Sequence, residues 1–445
     1  MAGFGNSGSR VVKSETMSNQ LKTAPASLIE HRSRSEELST RWFESAWFHL
    51  ALFVTACAVL ISRRPEVVFH AQFWAEDGTR WYADAYRYGI HSLLMTSVGY
   101  LVTLQRIVAL IVKWGPMRQA PLLFNVSAIV VQVLPVSLFL SRRYMFVGNM
   151  PTRLLLSFVY VGLPNTTEIN ANLTNSQWHL ALLACMVLLA PPATSRAWAV
   201  FDFTVMLLLA LTGPFSILLL PLAVVVYCKK PSRHEIGLLG VLAGGTCVQL
   251  LAFLGSVRVL GPSGASWRQF IRIAGHQVFL SALFGKTGLW LPDPQPRWYF
   301  FLLLLVVLLG TGAMSYALAR GPLELKLFIL FSVAVFASAL KSPMGSWPVL
   351  HLPGAAQRYW FFPMMAFLAS LFWLVFGDLV PRKLKVAASL VALTMCIGIS
   401  RDWRDRPFVD MHFGQYAERF STLPSGTQYV IPINPPGWTM VLVKK

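Results

Sequence analysis

The sequence FWAEDG at Phe73–Gly78 places two adjacent carboxylates, Glu76 and Asp77, just beyond the first long apolar run of the chain. Acidic side chains are scarce, since the whole chain has 19 of them against 38 Lys and Arg residues. Two interpretations are open. In one, Asp77 caps a helix that begins at Gly78, because a carboxylate accepts hydrogen bonds from the free N–H groups of a first turn. In the other, the pair is a general base or binds a divalent cation.

The composition around this motif is that of a polytopic membrane protein. Hydrophobic residues make up 55% of the chain and charged residues 13%, whereas a soluble domain has about 25% charged residues. The net charge of +19 is dispersed between apolar segments, which argues against nucleic acid and suits anionic lipids or an anionic substrate. The five cysteines all lie in apolar runs and are not spaced as a metal site. We therefore expect their side chains to act as small, buried hydrophobic groups.

The apolar runs predict about eleven transmembrane helices, because a span needs about 20 mostly apolar residues. Several runs are short or interrupted by Pro and Gly, and such helices are tolerated where they line a cavity. The predicted spans are residues 44–62, 119–140, 152–165, 177–192, 198–213, 215–228, 235–256, 298–319, 323–340, 359–379 and 384–400.

Charge distribution orients these spans. Residues 97–116 are long enough to cross the membrane but carry Gln105 and Arg106 at their centre, so we interpret them as a surface segment. The N-terminus and the basic clusters between spans then share one side, which the positive-inside rule assigns to the cytoplasm. The opposite side receives 20 of the 38 basic residues, and an anionic substrate handled there explains that excess. Its segments are residues 63–118, 165–176, 257–297, 341–358 and 401–445.

This orientation predicts three parts of the chain. Residues 1–43 are polar, Ser-rich and basic, and we expect a disordered cytoplasmic N-terminus. Residues 44–400 form the transmembrane domain. Residues 401–445 form a small periplasmic segment, in which residues 427–433 and 438–443 read as two strands joined by a Pro-Pro-Gly turn.

A polar cluster at residues 165–179 joins two short apolar helices. Polar groups at membrane depth are functional candidates by default, and we favour that interpretation. The alternative is a capped turn, with Asn175 or Ser176 capping the helix at residue 177 and the other side chains in water. The candidates for substrate binding are Glu168, Asn172, Asn175 and His179.

Two further groups of side chains are candidates for binding a phosphate. Helical spacing of apolar residues from Trp267 to Val278 predicts one helix, with Arg268, Arg272 and His276 on a second stripe. That stripe is either a basic face in the membrane interface or a phosphate-facing wall. Further along, Arg358 either snorkels to lipid headgroups or binds a phosphate. Its neighbours Lys341 and Tyr359 are further substrate-binding candidates.

Several motifs resemble a family of bacterial membrane proteins that is itself similar to the GT-C superfamily of integral-membrane glycosyltransferases. The resemblance runs from about residue 44 to the C-terminus. It is carried by FWAEDG at 73–78, GYL at 99–101, NLTNSQW at 172–178, TGPFS at 212–216, QRY at 357–359 and IPINPPGW at 431–438.

The resemblance implies a fold and an activity. The fold is an all-α polytopic membrane protein with surface helices in the first outer loop and a small C-terminal β-containing outer segment. GT-C enzymes transfer a sugar from a polyprenyl-phosphate carrier to a glycan or lipid acceptor outside the cytoplasmic membrane. Their acid of the first outer loop, a base or metal ligand, corresponds to Glu76 or Asp77, and the residue that holds the carrier phosphate corresponds to Arg358.

The acid pair departs from the Asp-x-Asp pattern of that superfamily, so the need for a divalent cation, Mg²⁺ or Mn²⁺, stays open. The expected location is the bacterial inner membrane, with a cytoplasmic N-terminus and a periplasmic C-terminus. Two other functions stay open beside sugar transfer. One is a flippase or transporter of a lipid-linked sugar, for which paired repeats are expected and none is found. The other is a polymerase or ligase of lipid-linked polysaccharide.

Overall fold

The structure, a computed structural model, describes residues 46–255, 263–341 and 345–445, and most of them are helical. The prediction of a disordered N-terminus falls on residues 1–43, outside the described part. The chain divides into two units, residues 1–55 and residues 56–445. Of the first unit the structure describes the helical residues 46–55.

Seven helices in the described ranges are long and apolar enough to cross a membrane, so the prediction of a helical, polytopic membrane protein holds at this level. Each coincides with one predicted span. They are Ala46–Arg63, Met117–Leu140, Arg233–Leu254, Arg297–Arg320, Leu323–Lys341, Gln357–Phe376 and Arg382–Asp402.

The other predicted spans are also helical but shorter, with 12 to 15 residues each. At 1.5 Å per residue they reach about 18–23 Å, less than the hydrocarbon core of about 30 Å. The total of eleven spans therefore stays a prediction. These helices are Met150–Val161, Ser176–Leu189, Arg196–Ala210 and Phe215–Lys229.

The ambiguous segment 97–116 contains a helix of only ten residues, Thr103–Val112. A helix of that length is about 15 Å long and does not cross a bilayer by itself. Its polar centre is buried in protein: Gln105 donates a hydrogen bond to the carbonyl of Thr174 (3.3 Å), and Arg106 pairs with Asp84 (3.1 Å).

The remaining helical elements are short and connect the long helices. Two of them, Asp77–Tyr82 and Ile273–Leu280, are π-helical. The helix predicted across residues 267–278 is therefore α-helical only over Trp267–Arg272. The others are Glu66–Phe69, Ala83–Tyr88, Gly89–Leu94, Arg142–Val147, Ser281–Phe284, Trp347–Leu350 and Phe413–Thr422.

The C-terminal segment forms the predicted pair of strands, Gln428–Ile433 and Trp438–Val443, which are antiparallel with Ile433 opposite Trp438. The hairpin packs against the FWAEDG motif. Asn434 donates its N–H to the carbonyl of Phe73 (3.1 Å), and its carbonyl accepts the N–H of Ala75.

Phe73 lies at the centre of the core between the hairpin and the motif, with its ring 5.1–5.3 Å from three other rings. These belong to Tyr82, Phe124 and Phe413. Burial of Ile431, Ile433, Met440 and Leu442 completes this core. Aromatic and aliphatic packing therefore surrounds the segment that carries the two acids.

Candidate functional site

The acidic loop, residues 73–82, is shaped by backbone conformations that few residues adopt. Ala75 is left-handed, with φ +44°, and Asp77 begins the π-helical turn. Gly78 is closely packed, since a Cβ there would lie 2.9 Å from Cδ1 of Ile433 and 3.3 Å from Cβ of Phe73, so the Ile433 side chain would have to shift. Left-handed non-glycine residues and π-helical turns are uncommon and concentrate at functional sites.

Asp77 is fully buried and accepts hydrogen bonds from residues about one hundred positions further along the chain. Its Oδ1 accepts the N–H and the hydroxyl of Thr174, both at 2.7 Å, and its Oδ2 accepts the N–H of Leu173 at 3.2 Å. The carboxylate therefore does not cap its own helix, as one interpretation held. It joins the acidic loop to the polar cluster instead.

Burial raises the pKa of Asp77 from its ordinary value of 3.8 to about 7. The hydrogen bonds from Thr174 and Leu173 favour the charged form and oppose this shift, and the neighbouring carboxylate of Glu76 adds to it. A carboxyl group that titrates near neutral pH is typical of functional sites.

Glu76 has a different environment from its neighbour. Its side chain is half-buried, and within the described ranges no hydrogen-bond or ion-pair partner contacts its carboxylate. Of the two acids, Glu76 is thus the one whose oxygens are available to a small molecule.

The polar turn, residues 165–176, is buried and not in water, which contradicts the capped-turn alternative. Asn165 and Ser176 are 0% exposed and Asn172 is 1% exposed. Asn175 occupies the N-cap position of the helix Ser176–Leu189, but its side chain makes no capping hydrogen bond.

Inside the polar turn, side-chain amides satisfy the backbone. The carbonyl of Glu168 accepts hydrogen bonds from the amides of Asn172 (2.7 Å) and Asn175 (2.9 Å), and the Asn172 side chain accepts the N–H of Asn175 (3.0 Å). His179 lies behind the turn, 2.8 Å from the hydroxyl of Tyr160 and 3.1 Å from the carbonyl of Ile169. The predicted candidates of this cluster therefore form one network.

Arg358 reaches the same turn from the start of the helix Gln357–Phe376. Its guanidinium pairs with the carboxylate of Glu168, and its backbone N–H donates to the same carboxylate at 3.1 Å. Gln357 accepts the N–H of Glu168 (2.7 Å) and donates to the side chain of Asn165 (2.9 Å). The polar turn thus binds the acidic loop at Thr174 and the arginine at Glu168.

Left-handed backbone recurs throughout this site. Asn165 and Ala171 in the polar turn have φ +55° and +52°, and Ala356, directly before Gln357, has φ +47°. With Ala75, these are four of the seven non-glycine residues with positive φ among the described residues. Each of these left-handed residues lowers the stability of the fold, and the surrounding contacts must compensate for that cost.

Sequence reasoning missed the side chains that anchor the polar turn from other elements. Asp402 accepts the N–H of Asn165 at 2.9 Å, and Asp405 accepts the hydroxyl of Thr167 at 2.7 Å. Gln277 binds the amide of Asn165 at 3.1 Å. The only available signal was the presence of two rare acids directly after the last long apolar run.

Four predicted candidates lie outside this network or at its edge. Arg268 is exposed over the ring of Phe300, and the exposed Lys341 ends its helix. Arg272 pairs with Asp293 and not with the polar turn. Tyr359 lies at the edge of the network, next to the guanidinium of Arg358.

The stripe of Arg268, Arg272 and His276 does not form on one face. Arg268 is exposed while His276 is 2% exposed. The reason is the change to a π-helix at Ile273, which places more residues in each turn and rotates later side chains out of α-helical register.

Within the described residues, the acid pair is not part of a larger cluster of metal-ligating side chains. Both oxygens of Asp77 accept hydrogen bonds, and no group of three His, Cys, Asp or Glu side chains in the described part of the chain is arranged to hold a metal ion.

Comparison with family models, with curated proteins and with solved structures gives no match for this chain. The similarity to GT-C glycosyltransferases accordingly stays an interpretation of the motifs.

Proposed function

We propose that this chain is an integral-membrane glycosyltransferase. It moves a sugar from a polyprenyl-phosphate carrier to a glycan or lipid acceptor at the outer face of a bacterial inner membrane. One observation carries the proposal: the acid pair and Arg358, far apart in sequence, are both attached to the buried polar turn, at Thr174 and Glu168.

In this proposal Glu76 is the general base. The acceptor hydroxyl loses its proton to a carboxylate as its oxygen attacks the sugar, and the half-buried, unpartnered oxygens of Glu76 suit that role. Asp77 is a positioning residue, because its hydrogen bonds to Leu173 and Thr174 fix the loop. When Asp77 carries a proton, the charge beside Glu76 is reduced.

Arg358 stabilises the phosphate that leaves. A guanidinium binds phosphate oxygens through parallel N–H groups, and a fixed positive charge at the leaving group lowers the barrier to its departure. Glu168 orients the guanidinium through the ion pair. The base and the phosphate-binding arginine thus share one rigid support.

The test is transfer activity of Glu76→Gln in membranes that contain the acceptor, followed as release of polyprenyl phosphate. Loss of a general base lowers the rate by about 10²–10⁴-fold. Glu66→Gln is the matched control, because Glu66 is another half-buried acid of the same segment. It should retain activity. Full activity of Glu76→Gln, with and without chelator, would contradict the role of Glu76 as the base, and full activity of Asp77→Asn as well would contradict the proposed mechanism as a whole.

A further inference from the structure

A second cluster of basic side chains lies between the segments 263–296 and 345–356, and the proposed sugar transfer does not use it. Arg272 and His351 face the same carboxylate, that of Asp293. Its Oδ1 is 3.3 Å from Nη2 of Arg272, and its Oδ2 is 3.5 Å from Nε2 of His351. Two nitrogen atoms from separate segments therefore face one anionic group.

The contacts of Asp293 are loose. Charge-assisted hydrogen bonds between nitrogen and carboxylate are normally about 2.7–2.9 Å, so both distances are long. The carboxylate side chain is 50% exposed, whereas those of Arg272 and His351 are 12% and 5% exposed. The acid thus covers the basic pair from the solvent side without binding it tightly.

His276 is close enough to His351 to interact with it electrostatically. It is 2% exposed, and within the described ranges neither of its ring nitrogens has a hydrogen-bond partner. Burial, together with a smaller contribution from the nearby His351, lowers the pKa of His276 to about 4. The ring is then neutral at pH 7 and keeps one N–H to donate. The Nε of Arg272 is also buried without a partner.

Buried donors without partners are costly and call for an explanation. We propose that Arg272, His276 and His351 form a phosphate-binding site, and that the Asp293 carboxylate occupies it until a phosphate group displaces it. A phosphate offers more acceptor oxygens and more charge than one carboxylate, so it can satisfy donors that Asp293 leaves unpaired. The phosphate belongs to a lipid headgroup or to a soluble molecule, because the same donors would bind the phosphate group of either one.

Phosphate binding at this cluster does not depend on sugar transfer. A purely structural role is the competing explanation, in which Asp293 ties two segments together and nothing replaces it. The two explanations predict different phosphate affinities for one variant, Asp293→Asn. Removing the carboxylate charge should tighten phosphate binding if Asp293 competes with phosphate, and should leave it unchanged if Asp293 is only a tie.

The experiment uses the full chain in phosphatidylcholine nanodiscs, titrated with inorganic phosphate and followed by ³¹P NMR line broadening. Asp293→Asn should bind phosphate more tightly than wild type. Arg272→Gln should bind it about tenfold more weakly or worse, since a hydrogen bond to a charged group is worth about that factor. Arg268→Gln is the matched control on the same helix and should bind as wild type does.

A second arm replaces part of the phosphatidylcholine by phosphatidic acid. If Asp293→Asn and Arg272→Gln change the retention of the chain by the lipid, and do so only in this arm, the phosphate belongs to a lipid headgroup. A response to inorganic phosphate assigns it to a soluble molecule. Unchanged binding in Asp293→Asn in both arms, or equal losses in Arg268→Gln and Arg272→Gln, would overturn the proposal. Because Asp293→Asn alters an exposed side chain, it tests the proposal even if Arg272→Gln fails to fold.

Discussion

At the scale of single residues, Asp77 links the acidic loop to the polar turn, and both the charge and the shape of its carboxylate contribute to that link. We expect Asp77→Asn to lower the free energy of unfolding by about 1–3 kcal/mol. An amide NH₂ would face one of the N–H donors of Leu173 or Thr174, so at least one buried donor loses its acceptor. Thermal unfolding in detergent measures the loss. A Tm equal to that of wild type would mean that Asn satisfies the same donors.

The pKa of Asp77 also predicts a pH dependence. Between about pH 4 and about pH 7 the folded chain keeps a proton that the unfolded chain has released. The free energy of unfolding contributed by this group is therefore highest below that interval and falls as the pH rises through it. Tm profiles of wild type and Asp77→Asn should diverge across this range. Parallel profiles would show that Asp77 titrates in the same way in both states.

Arg358 gives a third prediction at this scale. Arg358→Lys keeps the charge beside Glu168 but removes the planar fork, so carrier-lipid binding should weaken. Stability should change by roughly 1 kcal/mol or less, because both side chains of the pair are about one-fifth exposed and water screens them.

The control for Arg358 is Arg118→Lys, at the exposed ion pair of Arg118 with Glu418, which should leave lipid binding intact. Carrier-lipid binding that survives Arg358→Ala unchanged would refute the assignment of a phosphate to this arginine.

At the scale of elements, the motif TGPFS at 212–216 has a structural explanation. The Thr212 hydroxyl accepts the N–H of Leu104 (3.1 Å), and Gly213 donates its N–H to the carbonyl of Leu101 (2.8 Å). This motif therefore fixes the start of the short helix Thr103–Val112, which carries the buried Gln105 next to the polar turn.

Gly213→Ala should destabilise this junction. Gly213 has φ +75°, and a Cβ there would lie 2.6 Å from Oε1 of Gln177. A left-handed alanine costs about 1–2 kcal/mol, before any displacement of Gln177. Gly240→Ala is the control, because that helical position has open space around it and Ala favours helices. The prediction fails if both variants shift the Tm equally.

At the scale of the whole molecule, the topology stays a prediction from charge parity. We expect the N-terminus in the cytoplasm, about eleven spans and the C-terminus outside. Reporter fusions after residues 150 and 445 test it. Outer-side activity at residue 150, or cytoplasmic activity at residue 445, would overturn the assignment. The number of spans depends on whether short helices such as Ser176–Leu189 cross the bilayer.

Much of the architecture was readable because it depends on local composition. Long apolar runs predicted the long helices, since a bilayer-spanning segment must be apolar and satisfy its own backbone groups. Alternation and a Pro-Pro-Gly turn predicted the two C-terminal strands. The polar centre of residues 97–116 was also visible, because Gln105 and Arg106 interrupt an otherwise apolar run, but the sequence predicted a surface segment and not the burial of these two side chains in protein.

The sequence by itself predicted a helical, polytopic membrane protein with its long helices and two C-terminal strands, and it singled out the pair of acids. Only the tertiary structure decided their partners. That Asp77 binds Thr174, that Glu168 binds Arg358 and that a π-helical turn separates Arg268 from His276 all depend on packing between distant segments. The physical reason is that hydrogen bonds and burial depend on distance in space, which local periodicity does not encode.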